Sequence, residues 1–158
     1  MQWNVYHLND PKMEILSQIV VEEKIDIICI QEMTDPRYPK PPSRLPGFER
    51  PRYILPDKSK GLALYIKEGL EFQIVKDTYT QKQPQILHQA CIITLTDTTK
   101  IRIDHVYIHS SLTNPYRKHF WKYMGTKRHE MQIIVGDINE RAAILGGGNK
   151  TFILVFRN

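Results

Sequence analysis

The sequence predicts a mixed α+β fold, and three observations predict it. Short β-branched apolar runs recur along the chain, one early segment repeats its apolar residues at helical spacing, and the strand candidates come both singly beside helices and in consecutive pairs. At 158 residues, 41% of them hydrophobic and 25% charged, a single globular core is the expectation.

Residues 2–6 form the first strand candidate. Asp10-Pro11 then reads as an N-cap followed by proline at the first helical position. Beyond it Met13, Ile15, Leu16, Ile19 and Val20 fall on one helical face, opposite Glu14, Ser17, Gln18 and Glu22, so this helix is expected to pack on a sheet. Residues 25–30 are apolar on both faces of a strand, the pattern of a central strand covered on two sides.

Residues 35–56 hold seven of the ten prolines, which predicts a surface loop without regular structure. Strands resume at 61–66 and, past the turn Lys67-Glu68-Gly69, at 72–75. Residues 89–96 and 100–109 predict a hairpin about Asp97-Thr98-Thr99. A short aromatic and basic helix over 115–123, a strand over 131–135 ending at Gly136-Asp137, and a strand-like run over 150–157 complete the order.

Lys and Arg number 22 against 17 Asp and Glu, a net charge of +5, which favours polyanionic partners; a merely basic surface explains it equally well. Cys29 and Cys91 lie in apolar runs without metal-ligand spacing, so both are expected to be buried free thiols of a reducing compartment. With no apolar run of about 18 residues and no signal-peptide pattern at the start, the expectation is a soluble intracellular protein, nuclear or cytoplasmic, with no membrane contact. Six scattered histidines argue against a zinc cluster. A Gly-x-x-x-x-Gly-Lys loop is missing, and Gly146-Gly147-Gly148 lacks the strand-to-helix context of a phosphate loop.

Three acceptor groups stand where strands stop: Asn4, Glu32 and Asp137. If their strands are parallel neighbours, two carboxylates and an amide meet at one sheet edge, where α/β ligand sites form. Magnesium takes one or two carboxylates, keeps several waters and accepts a substrate phosphate oxygen, a demand Glu32 and Asp137 satisfy. Taken singly, each residue has an ordinary explanation as a turn or capping group.

Five motifs follow one another: Gln2-Trp3-Asn4, Ile27-Ile28-Cys29-Ile30-Gln31-Glu32, Gly61-Leu62-Ala63-Leu64-Tyr65-Ile66, Val106-Tyr107 and Val135-Gly136-Asp137-Ile138-Asn139. The series resembles the endonuclease/exonuclease/phosphatase superfamily. With Pro46-Gly47-Phe48 and the Gly-Leu-Ala-Leu-Tyr-Ile strand, it looks most like the endonuclease domains of non-LTR retrotransposons, which accompany a reverse transcriptase. The resemblance implies part of a four-layer αββα sandwich of the deoxyribonuclease I-like type, and magnesium-dependent phosphodiester hydrolysis, with manganese as an alternative ion.

Carried over position by position, the resemblance implies that Glu32 binds the metal with support from Asn4, and that Tyr107 contacts the scissile phosphate. It further implies that Asp137 orients or activates the attacking water and that Asn139 hydrogen-bonds the phosphate. Tyr107 is equally explained as a strand aromatic filling the core. The implied substrate is DNA, nicked on one strand; the alternatives are a phosphatase acting on a small phosphorylated substrate and a non-catalytic nucleic-acid-binding remnant.

The resemblance covers residues 1–145, leaving 146–158 as a divergent tail. Members of the superfamily continue to a Ser-Asp-His motif, whereas residues 140–158 contain no Ser, Asp or His. The resulting expectation is an inactive, truncated fragment in which strands such as 25–30 and 131–135 lose apolar cover. Two segments mix basic and aromatic residues as nucleic-acid surfaces do: Arg37, Tyr38, Lys40, Arg44, Phe48, Arg50, Arg52, Tyr53 and Lys58, and then residues 115–123. Solvated charges over packing aromatics explain either segment equally well.

Overall fold

The computed structural model describes residues 1–35, 37–56, 60–76, 79, 85–126 and 131–139 in full, and residues 151–157 as backbone. The chain divides into two compact units, Met1–Leu70 and Glu71–Asn158. Each contains a mixed sheet and one helix, so the α+β expectation holds.

The first unit contains β1 (Gln2–Asn4), α1 (Asp10–Glu22), β2 (Ile27–Gln31), β3 (Arg52–Ile54) and β4 (Leu62–Ile66), with strand order β1-β2-β4-β3. β1 runs parallel to β2, whereas β2 and β3 are both antiparallel to β4. The cap of α1 is Asn9, one residue earlier than the sequence suggests: its side chain accepts the Lys12 N–H at 3.2 Å, and Asp10 and Pro11 fill the first turn. Leu16 is fully buried among Ile28, Ile30, Ala63 and Tyr65, residues that the β2–β4 register puts on one face. Ile15, expected on that face, is 48% exposed, so the stripe is narrower than the helical pattern implies.

β2 lies between β1 and β4, and Ile28, Cys29 and Ile30 are each at most 2% exposed, as a strand covered on two sides requires. The proline-rich segment is irregular except for β3, an edge strand that sequence reading missed. Pro51 stands immediately before it, where no ladder N–H is needed. Leu45 and Phe48 are buried in the core cluster, and the Tyr65 hydroxyl donates to the Ser43 carbonyl at 2.9 Å, so this loop is tied down.

The second unit holds β5 (Phe72–Val75), β6 (Ile86–Thr94), β7 (Lys100–Ile108), α2 (Asn114–Thr126), β8 (Met131–Asp137) and β9 (Thr151–Arg157), with strand order β5-β6-β7-β8-β9. The expected hairpin is β6–β7, paired from Ile86↔Ile108 to Thr94↔Lys100; β6 starts three residues before the sequence suggests. β8 runs parallel to β7, and β9 pairs antiparallel with β8, so the strand-like run at 150–157 does form a strand. β8 therefore has a neighbour on both sides, and Ile134 and Val135 are buried. Phe120 and Met124 of α2 pack with Val106, Ile108 and Ile134.

Beneath α2 a polar group is buried in full. Tyr79 N–H donates to His88 Nδ1, so the imidazole carries its proton on Nε2 and donates it to Asp104 at 2.8 Å. Arg102 and Gln132 donate to the same carboxylate, which is wholly buried. Burial alone would raise the Asp104 pKa, but hydrogen bonds from His88, Arg102 and Gln132 outweigh it and hold the carboxyl below its usual range. Both cysteines are buried thiols outside any disulfide, and burial pushes the Cys91 thiol up to about 12, as expected of inert thiols.

Candidate active site

Asn4 and Glu32 close neighbouring parallel strands. The register pairs Asn4 with Gln31, so Glu32 follows directly at the same end of the sheet. The loops beyond are laced together: Val5 N–H donates to the Gln31 carbonyl at 3.1 Å, His7 N–H to Glu32 at 2.8 Å and Leu8 N–H to Met33 at 2.9 Å. Making those bonds puts Tyr6 (φ 42), His7 (φ 71) and Glu32 (φ 53) in the left-handed region, which side chains other than glycine rarely adopt. Lys12 compensates, because its ammonium donates to the Val5, Tyr6 and His7 carbonyls at 2.6, 2.8 and 3.0 Å.

The Glu32 side chain is 11% exposed, and Lys60 Nζ lies 2.5 Å from its Oε2. Asn4 Oδ1 accepts the Tyr6 N–H at 3.3 Å. Nearby, His7 stacks on Tyr6 with ring centroids 4.8 Å apart, and His7 Nε2 lies 3.7 Å from Asp35 Oδ2. Arg37 hydrogen-bonds Asp35 and holds its carboxyl down at about 2. Asn4 and Glu32 are hard oxygen donors, the type that magnesium selects, and the Lys60 ammonium shows that the Glu32 carboxylate attracts a cation. Among the described residues no group of three or more His, Cys, Asp or Glu gathers into a metal cluster. A magnesium site built from one carboxylate, an amide and waters needs none.

Asp137 does not join that edge. β8 stands in the second sheet, so the one-edge arrangement of all three strand ends is corrected: the parallel partner of β2 is β1, and its other side is taken by β4. Within the second unit, Tyr107 on β7 pairs directly with Asp137 on β8, and Asn139 follows two residues later. Tyr107 is 3% exposed, packed as a strand aromatic, with its ring centroid 6.4 Å from that of His109.

The Asp137-Ile138-Asn139 segment is fixed from three sides. Asp137 Oδ1 accepts the Asn139 N–H at 3.0 Å, and the Asn139 side-chain amide donates to the Ile108 carbonyl at 3.0 Å. Arg117 of α2 is buried and donates to the carbonyls of Leu112, Ile138, His109 and Asn139. Sequence reading grouped Arg117 with nucleic-acid-facing residues; its burial corrects that. Phe120 is likewise core, whereas Tyr116, Lys118, His119 and Lys122 are exposed.

In the proline-rich loop Arg37, Lys40, Arg44, Arg50, Arg52, Tyr38 and Tyr53 are exposed, Phe48 is core, and Lys58 lies outside the described residues. Lys60, Lys12 and Arg117 were missed as site-shaping residues. Lysine and arginine spacing carries no signal for them, because their roles depend on strand pairing and on carbonyl positions set by the loops. Among the described residues no helix is long and apolar enough to cross a membrane.

A profile of the Endonuclease/Exonuclease/phosphatase family matches residues 1–145. The fold is similar to that of the endonuclease domain of TRAS1, a telomere-specific non-LTR retrotransposon, with a TM-score of 0.60 and 19% identity over 89% of this chain and 60% of that one. A humanized D. rerio TDP2 has a TM-score of 0.58 and 13% identity over 90% of this chain and 62% of its own. A functionally unknown conserved protein from Enterococcus faecalis has a TM-score of 0.56 and 16% identity, covering 90% and 67%. The chain thus spans about 60% of the length of the TRAS1 domain it matches. No curated protein sequence matches the chain.

Proposed function

The chain belongs to the endonuclease/exonuclease/phosphatase family, and we propose that it serves metal-dependent phosphodiester hydrolysis, nicking DNA in the manner of a retrotransposon endonuclease. The observation that carries this reading is the placement of Asn4 and Glu32 at the same end of neighbouring parallel strands, with a cation already drawn to the Glu32 carboxylate. Similarity to a retrotransposon endonuclease fold and an exposed row of arginines in the 37–52 loop support DNA over a small phosphorylated substrate.

In this reading Glu32 and Asn4 hold Mg2+, with Mn2+ as a substitute. The ion, when bound, supplies Lewis-acid charge to the phosphoryl oxygens. For Asp137, in the second unit, the resemblance implies orientation of the attacking water and uptake of its proton, a role that suits a carboxylate whose geometry is set by the Asn139 N–H. Asn139, whose side-chain amide is held by the Ile108 carbonyl and whose own carbonyl is held by Arg117, is the phosphate-bonding residue of this reading, and Tyr107, the register partner of Asp137 on β7, is its phenol for the scissile phosphate.

Conversion of supercoiled plasmid to the open circle in magnesium tests the reading. In a chain extended by the superfamily's Ser-Asp-His segment, nicking is expected with the native residues and is expected to fall by orders of magnitude in Glu32→Gln and Asp137→Asn, since each removes several kcal/mol of transition-state stabilisation. Full nicking by either folded variant removes that residue from the mechanism. Plasmid binding with no nicking by the extended chain with its native residues favours a nucleic-acid-binding role instead.

A further inference from the structure

Lys60 occupies a position that its own backbone dictates. Gln31 pairs with Leu62 across β2 and β4, so the residues leaving β2 face those entering β4. Thr34 N–H donates to the Lys60 carbonyl at 3.0 Å and fixes that approach. Gly61 adopts φ +68, and a Cβ there would come within 2.9 Å of both the Ile54 carbonyl oxygen and Met33 Cε, so the turn that aims Lys60 has little room to shift. Its ammonium is held on one side by Glu32 Oε2 at 2.5 Å and on another by the Tyr6 ring, whose centroid is 4.4 Å away. The lysine side chain is 29% exposed and the carboxylate 11%, so the pair is shielded from much of the solvent.

We propose that Lys60 is a tethered competitor for the divalent ion at Glu32 and so sets the metal concentration at which the site loads. The proposal rests on Glu32 being a metal ligand. Both cations use the same carboxylate, and an ammonium this close to a doubly charged ion is repelled strongly in a shielded site. Loading therefore requires the lysine to leave Glu32 and its place over Tyr6. The apparent affinity for metal is lower than the carboxylate alone would give, by the factor needed to break that contact.

Mn2+ alone is the probe, its free concentration read from the electron paramagnetic resonance signal of the hydrated ion during titration of residues 1–158. Lys60→Gln is expected to bind Mn2+ about tenfold more tightly than the native chain, the equivalent of one partly shielded ion pair. Lys60→Arg keeps the cation and is expected to stay near native affinity. Glu32→Gln, alone and combined with Lys60→Gln, is expected to lose the tight site, which ties the gain to this carboxylate. Thermal unfolding establishes that each variant is folded. Equal or weaker Mn2+ binding by folded Lys60→Gln overturns the proposal while leaving Glu32 as a metal ligand. No saturable Mn2+ binding by any variant removes the metal site itself and the proposal with it.

Discussion

Arg117 fastens Asn139 to the fold: its Nη2 donates to the Asn139 carbonyl at 3.3 Å while Nη1 donates to the preceding Ile138 carbonyl at 2.8 Å. The remaining donors reach His109 and Leu112, so one guanidinium joins the end of β7 to the segment after β8. Arg117→Met would leave these carbonyls without their partner and is expected to cost about 3 kcal/mol. Arg117→Lys restores only part, because an ammonium lacks the planar fork that spans four acceptors. Urea unfolding measures the cost, and hydrogen exchange at the Asn139 amide reports whether the segment loosens first. Native stability and protection in Arg117→Met would show that the clamp is dispensable.

Gly136 is set by a different constraint. It adopts φ +149 opposite Val106, and a Cβ there would lie 1.8 Å from the Val106 carbonyl oxygen. Backbone cannot retreat as a side chain can, so Gly136→Ala is expected to lose at least about 3 kcal/mol or fail to fold. Gly69 provides the comparison: its φ is +86 but nothing lies within 4 Å, so Gly69→Ala should lose only about 1 kcal/mol of conformational strain. Equal costs in thermal unfolding would refute the close-approach argument.

Much of this was legible in the sequence where local pattern and tertiary outcome agree. Residues 25–30 hold four isoleucines, and the run from Ile27 onward becomes a strand flanked on both sides, while Asp97-Thr98-Thr99 marks the β6–β7 hairpin because its polar turn interrupts two strand runs. β3 was hidden because prolines dominate its neighbourhood, while its existence depends on pairing with β4 rather than on propensity. Ile15 satisfies a helical apolar pattern yet stays exposed, since Leu16 points to the sheet and a single narrow stripe suffices. Within the site, Asn4 and Glu32 were visible as polar residues at strand ends. Lys60 was not, because only the antiparallel register of β2 with β4 brings residue 60 to residue 32.

Arg44, Arg50 and Arg52 are exposed in the first unit and free to meet phosphates. Each phosphate contact contributes roughly 0.9 to the slope of log affinity against log salt on duplex DNA. Replacing all three by Ala is expected to flatten that slope by about 2 to 3 and to weaken binding at low salt, measured by fluorescence anisotropy at several salt concentrations. An unchanged slope would place the DNA contact elsewhere on the chain.

Acid should destabilise the fold well before its carboxylates are neutralised. His105 is fully buried beside Gln89, and burial, helped by nearby His88, depresses its pKa to about 3. The unfolded chain regains an ordinary histidine that takes up its proton near pH 6.5, so below that pH the unfolded state binds a proton the folded state refuses. Stability is therefore complete above about pH 6.5 and declines by up to about 1.4 kcal/mol per pH unit until pH approaches 3. Asp104, whose pKa is also depressed, adds a loss in the same direction once pH falls below its ordinary value of 3.8, as its carboxylate is protonated away from His88, Arg102 and Gln132. His105→Gln cannot ionise and retains an amide able to bond Gln89, so the decline between pH 6 and 4 should flatten by close to one proton. Urea unfolding at half-unit pH steps reads the slope directly. An equally steep decline in the variant would assign the acid sensitivity to another group.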